Sequence, residues 1–186
     1  LRVLGPRMAP LLEIPMALTY YGTIQGADDY NEAMGNTAWA ALSTEAKTAA
    51  LVRGTLYVDS YAKKWIGEDY KCWWTFLGQK AGGPAQYMQW PRAGIDGIDS
   101  ATVPLSVEYA TYEAAAIEGA NPNSLRPIVN TSTAVKREKV DVLEVEYAIS
   151  SSTNPYDLLP TVPIIDSLLA GLLIRRCTGT MAIYTV

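Results

Sequence analysis

The 186 residues contain no histidine. That absence removes His-based catalytic triads, imidazole general bases and His-ligated metal centres together. Cysteine is nearly as scarce. Cys72 and Cys177 are the only two; they form no metal-ligand spacing, and their separation reads as a reduced intracellular thiol pair rather than a disulfide framework. Long apolar runs are missing as well. The run at 164–174 is broken by Asp166, Ser167 and Gly171, far short of the roughly 18 uninterrupted residues that mark a membrane helix, so a soluble chain with no membrane partner is expected. Basic charge is in deficit, with 15 Lys and Arg against 19 Asp and Glu, a net charge of −4 and a pI near 4.9. A protein that wraps phosphate backbone draws its affinity from clustered Lys and Arg, so only a small local basic patch is compatible with this balance. No phosphate loop or dinucleotide fingerprint occurs, and no carboxylate pair is spaced beside an apolar pocket for acid and base work. Asp96 and Asp99, around Gly97, lack the ligand count of a calcium loop and read as turn residues. Neither an enzyme nor a bound cofactor is expected.

What the chain does have is 49% hydrophobic residues, enough for one sizeable core in a single domain. Residues 43–65 organise it as a central helix. At 100° per position, Ala50, Leu51, Gly54, Tyr57, Val58, Tyr61, Ala62 and Trp65 fall in one apolar sector. Ser43 or Thr44 can cap the start, Glu45 lies in the first turn, and Lys63 and Lys64 lie in the last. The opposite side, with Glu45, Thr48, Arg53, Thr55, Asp59 and Lys63, reads as solvated, and Asp59 and Lys63 are spaced to pair. Along it runs a narrow apolar stripe, Val52 and Leu56 flanked by Ala49 and Ser60. Either a loop packs over that stripe or it meets another copy of the chain, such as a ring neighbour.

Residues 1–15, with Pro6, Pro10 and Pro15, read as an irregular extension, neither signal peptide nor helix, and the coherent pattern from Met16 onward suggests that the natural start lies there. A short helix follows, capped by Thr23 or Gln25 and ended by Gly35-Asn36, with Tyr30 and Met34 facing inward. Leu42 can staple the entry of the central helix. Residues 66–101 place Trp73, Trp74, Phe76, Tyr87 and Trp90 among glycines and prolines, the pattern of a long loop. Those rings form either a lid over a small core or, with Lys71, Lys80 and Arg92, a platform on which exposed bases stack. Residues 104–118 predict a third helix that starts at Pro104, and alanines at 110 and 114–116 let it approach the central helix closely.

Further on, Val145, Tyr147 and Ile149 alternate with Glu144, Glu146 and Ala148, whereas Val140 and Val142 have the opposite parity. The switch places a turn near 141–143 and a hairpin over about 134–148. Lys136, Arg137 and Lys139 charge its first arm and Glu144 and Glu146 its second, which suits cross-strand pairs of under about 1 kcal/mol each. After a polar linker, 161–174 reads as a helix with Ile164, Ile165, Leu168, Leu169, Leu172 and Leu173 on one face and Arg175-Arg176 closing it. The alternating tail 180–186 can add to another sheet edge or pair within its own domain. The fold class is therefore mainly α: a small bundle of about four helices with a protruding β-hairpin and an extended arm.

Several ordered motifs carry a resemblance across nearly the whole chain from Met16. They are Tyr20 with Ala27-Asp28 and Tyr30, Gly35-Asn36-Thr37-Ala38-Trp39, the 42–61 helix, Gln89-Trp90-Pro91-Arg92 before Gly94, the Pro104 helix, the hairpin ending Val145-Glu146-Tyr147, and the Leu168-Leu169 helix. Together they resemble the head–tail adaptor proteins of tailed bacteriophages (connector, neck or head-completion proteins), some of which are described as DnaT-like single-stranded-DNA-binding proteins. The resemblance implies a virion protein, assembled in the host cytoplasm, that forms a homo-oligomeric ring, typically dodecameric, at the neck. Its partners would be the portal protein above and a tail or stopper protein below, with DNA passing through the channel without sequence-specific contacts. In that reading residues 16–174 are the adaptor domain. Ala49, Val52, Leu56 and Ser60 make the ring interface, and 175–186 is a portal-docking arm carrying Arg175, Arg176, Met181, Ile183, Tyr184 and Val186. The alternative is a single-stranded-DNA binder that stacks bases on Trp73, Trp74, Tyr87 and Trp90.

Overall fold

A computed structural model describes residues 19–66, 71–128, 137–140, 143–146 and 160–178. Among these the chain is mainly helical with a hairpin, as the sequence predicts, and carries a small three-stranded sheet besides. Thr23 caps α1 (Ile24–Ala33) by accepting from the Gly26 amide, and Asn36 caps the single turn α2 (Thr37–Ala40). Ser43 caps α3 (Thr44–Asp59), whose sector Ala50, Leu51, Gly54, Tyr57 and Val58 is buried. α4 (Leu105–Ala120) begins after Pro104 and buries Val107, Ala110, Ala114 and Ala115. These two long helices make the most extensive helix–helix contact. They approach so closely at Gly54 that a Cβ there would lie 2.8 Å from the Thr111 carbonyl oxygen, which is why a glycine occupies a helix interior that otherwise disfavours it.

The central helix is shorter than its periodicity predicts. α3 ends at Asp59, a single 3-10 turn covers Ser60–Lys63, and Lys64–Ile66 runs extended as β1. β1 pairs antiparallel with β2 (Cys72–Phe76), and β2 pairs on its other side with β7 (Leu173–Cys177), giving the order β1-β2-β7. Trp65 therefore belongs to a strand. Helical periodicity alone cannot register the competing partner, which lies beyond the next turn and, for β7, about a hundred residues away. Thr55, expected in solvent, is buried and its hydroxyl accepts from the Tyr21 amide. Asp59 accepts from the Tyr21 hydroxyl and the Gln89 amide instead of pairing with Lys63.

The last helix is corrected in the same way. α5 covers Pro163–Leu169, a 3-10 turn Ala170–Leu172 follows, and the residues expected to close the helix, Arg175 and Arg176, lie in β7. Ile165, Leu169 and Leu172 are buried, whereas Ile164 is exposed. Cys72 and Cys177 face each other in the β2–β7 register and are joined by a disulfide, which overturns the expectation of free thiols. Sequence distance carried no information about a ladder that brings them opposite one another. In α1, Ala27 and Asn31 are buried and Tyr30 packs against the second core cluster as expected, whereas Met34, at the C-cap, is exposed.

The stretch expected as one long loop contains β2 and a two-stranded ribbon, β3 (Gln79–Lys80) with β4 (Arg92–Ala93). Trp90 precedes a cis Pro91, is 1% exposed and packs edge-on against Phe76. The hairpin is where the parity switch predicts it: β5 (Arg137–Val140) and β6 (Leu143–Glu146) pair antiparallel, with Arg137 opposite Glu146 and Lys139 opposite Glu144. One core cluster joins Tyr57, Val58, Tyr61, Phe76, Trp90, Val107, Ile165 and Leu169, and a second joins Ala27, Trp39, Leu51, Tyr112 and Ala115. No helix among the described residues is long and apolar enough to cross a membrane.

Candidate nucleic-acid interface

The register of the sheet decides which side chains stand together. Trp65, Trp73 and Arg176 are opposite one another across the three strands, and Lys64, Trp74 and Arg175 make the next rung. Because side chains alternate along a strand, Trp65, Trp73, Thr75, Ile174 and Arg176 share one face, while Trp74, Phe76, Leu173 and Arg175 share the other. Phe76 is buried and Leu173 packs against the core, so the Trp74 face looks inward and the Trp73 face outward. Outside, the Trp65 and Trp73 rings meet edge-on at 5.4 Å, and Lys63 Nζ lies 4.9 Å from the Trp65 centroid and 5.9 Å from that of Trp73. Ile174 and Arg176 on the same face are exposed.

Beside this face, β2, β3 and the 78–92 segment enclose a groove of about 520 Å³ whose lining includes Thr75, Gln79, Lys80, Gln89, Arg92 and Arg176 and no carboxylate. Lys80 Nζ donates to the Gln86 and Tyr87 carbonyls and forms no ion pair among the described residues, with the Asp59 carboxylate acting on it only at longer range. Arg176 has no bonded counter-ion among the described residues. Arg92 differs from both. Its guanidinium, on a residue 6% exposed, donates to the carbonyls of Leu77, Gly78 and Gln89 and so ties the β3–β4 ribbon to the end of β2. In an acidic chain this groove concentrates positive potential in one place.

Trp74, on the inner face, lines a separate pocket with Ile66, Leu173 and Asp166. There the Tyr61 hydroxyl donates to Asp166 Oδ1 at 2.5 Å and Lys64 pairs with the same oxygen at 2.7 Å, fastening β1 to α5. Burial and the Asp166 carboxylate push the Tyr61 hydroxyl well above its usual range, so it stays protonated as the donor. The four rings expected to form one stacking platform are thus dispersed: Trp73 outside, Trp74 inside, Trp90 in the core, and Tyr87 exposed on the 83–87 turn. Trp65 replaces them as the neighbour of Trp73. Its strand position, invisible while 43–65 reads as one helix, is the signal that was missed.

Of the other expected contacts, Ala49 and Ser60 are exposed and Val52 and Leu56 half-buried along the outer side of α3. Arg175 and Arg176 lie in β7, and Met181, Ile183, Tyr184, Val186 and Lys136 fall outside the described residues. Arg137 and Lys139 lie in β5, in register with Glu146 and Glu144 of β6. Among the described residues no group of three or more Cys, Asp or Glu is gathered to hold a metal ion.

Compared with known protein families, residues 17–186 match the family described as "Putative DnaT-like ssDNA binding protein". Neither a curated protein nor a solved structure matches the chain.

Proposed function

This chain belongs to that DnaT-like single-stranded-DNA-binding family, and from this we propose that it binds single-stranded DNA across the outer sheet face. Bases stack on Trp73 and Trp65, while Lys63, Arg176 and Lys80 meet the phosphates. The observation that supports this reading is the shared rung of Trp65, Trp73 and Arg176 beside a groove without carboxylates. Stacking accepts every base, and no side chain of this face is fixed in a bidentate arrangement that would select one, so binding is sequence-tolerant. Three cations and a net charge of −4 set a modest affinity that falls steeply with salt; three phosphate contacts correspond to a slope of about −2 in log K against log salt.

The test is anisotropy of a labelled oligothymidylate across a salt series. Trp73→Ala weakens binding by about 5- to 150-fold, the equivalent of one stacked base. Arg176→Gln, an exposed position, reduces the salt slope by about 0.7. Tyr87→Ala changes neither. Affinity unaffected by both Trp73→Ala and Arg176→Gln sinks the assignment.

A second reading, a ring of copies at a phage neck with DNA in its channel, is favoured by one observation: the outer side of α3 carries Val52 and Leu56, half-buried between exposed Ala49 and Ser60. It predicts that wild-type chain assembles and that Leu56→Glu remains a folded monomer. Identical sedimentation of the two removes this reading and leaves the first intact.

A further inference from the structure

α1 and α4 cross with three tyrosines between them. The ring centroids of Tyr30 and Tyr109 are 4.8 Å apart, those of Tyr30 and Tyr112 5.8 Å, and those of Tyr109 and Tyr112 6.3 Å. Over them opens a cavity of about 330 Å³ lined by Asp29, Tyr30, Leu105, Glu108, Tyr109 and Tyr112 among others. Tyr112 is buried as its floor, and its hydroxyl accepts from the Thr23 amide. Leu105 stands at the rim, 57% exposed.

Every charge around this cavity is negative. Asp29 and Glu108 line it, and Glu113 accepts from the Tyr30 hydroxyl at 2.7 Å. Asp29 accepts from the neutral amide of Gln25. The three ion pairs among the described residues involve Asp28, Glu118 and Asp166, so no lysine or arginine answers these three carboxylates. Glu108 lies in the first turn of α4, where the helix dipole offsets part of its charge, yet burial still pushes its carboxyl above the usual range. The site is electron-rich rings plus uncompensated carboxylates with an apolar lip. It shares no residue with the sheet face.

We propose that this α1–α4 pocket is a docking site for an arginine side chain presented by a partner protein. A guanidinium satisfies each feature at once: its plane stacks on the free face of one ring of the Tyr30–Tyr109 pair, its fork of donors meets Glu108 and Asp29, and its methylene stem covers Leu105. An ammonium can match the charge but neither the plane nor the fork. Charge complementarity and ring geometry select the occupant, independently of whether the basic sheet face binds DNA.

The probe is N-acetyl-arginine N-methylamide, with the citrulline counterpart as an uncharged isostere, titrated into chain carrying 13C-labelled tyrosine and followed by NMR. Tyr30 and Tyr109 ring signals shift saturably with the arginine compound and not with citrulline. Glu108→Gln weakens the response about tenfold, the effect of removing one charge-assisted hydrogen bond from a partly buried site. Asp29→Asn, on the exposed side of α1 where folding is not at stake, weakens it about threefold. No saturable shift, an equal response to citrulline, or unchanged binding in both variants overturns the proposal.

Discussion

The Trp90-Pro91-Arg92 motif carries an arginine that the sequence groups with Lys71 and Lys80 as a candidate phosphate contact. The geometry assigns it elsewhere. Arg92 Nε donates to the Leu77 carbonyl at 2.6 Å, Nη2 to that of Gly78 at 2.9 Å, and Nη1 to that of Gln89 at 3.2 Å, with the guanidinium 5.8 Å from the Phe76 centroid. Truncation to alanine withdraws three charge-assisted donors from the half-buried Leu77 and Gln89 carbonyls and the Gly78 carbonyl and unties the ribbon from β2. Each such removal costs about 1–3 kcal/mol and the effects overlap, so about 3–5 kcal/mol in all is expected. In a domain of this size that lowers the thermal midpoint by about 6–20 °C. Arg92→Lys recovers less than half, because one ammonium cannot reach three divergent carbonyls. Urea unfolding followed by tryptophan emission measures this directly, with Trp90 in the affected cluster. If Arg92→Ala unfolds within about 1 kcal/mol of wild type while its affinity for single-stranded DNA falls, the clamp reasoning fails and Arg92 is a strand contact after all.

Two further outcomes follow from buried polar groups and a third from the disulfide. Glu118, fully buried, accepts from Arg53 Nε and from the amides of Asn123 and Leu125; Glu118→Ala is expected to cost about 3–5 kcal/mol in urea unfolding, since it strands a guanidinium and two amides. Asp59 has its carboxyl pushed up by burial, against which the Tyr21 hydroxyl and the Gln89 amide pull down. With the folded value above the unfolded one, its contribution is full below about pH 4 and is lost as pH rises through the folded value, so wild type loses stability relative to Asp59→Asn over that interval and runs parallel to it above. Titration with a thiol reagent under non-reducing, denaturing conditions finds no free thiol, and two after reduction; two at the outset would contradict the Cys72–Cys177 bond.

What could be read from sequence was whatever a single element encodes in its own residues. The Thr23 and Ser43 caps, the alanine face of α4 against α3, and the turn marked by opposite parities at Val142 and Val145 all follow from local periodicity and chemistry. The sheet did not. Lys64-Trp65-Ile66 continues the apolar phase of α3, and only the strand formed by Trp73 and Trp74 makes it extended. Leu173 to Arg176 continues α5 in the same manner until β2 claims it. Both misreadings replaced a helix end by a strand whose partner is non-local, and both hid the candidate site, since Trp65, Trp73 and Arg176 come from three segments with no common pattern. Arg92 and Glu118 were likewise opaque, because a buried charge is identified by the carbonyls or amides around it and by nothing in its neighbours along the chain.

The order β1-β2-β7 also sets a timetable. Cys72 and Cys177 are 105 residues apart, so on a ribosome adding about 5–20 residues per second the middle strand waits roughly 5–20 seconds for its second neighbour. Throughout that interval β2, with two adjacent tryptophans, is an open edge able to pair with any extended chain nearby. The growing chain must be shielded or slow to pair wrongly. A chain truncated just before residue 173 lacks β7 and should keep that edge open, whereas one that includes the five residues Leu173–Cys177 can close it.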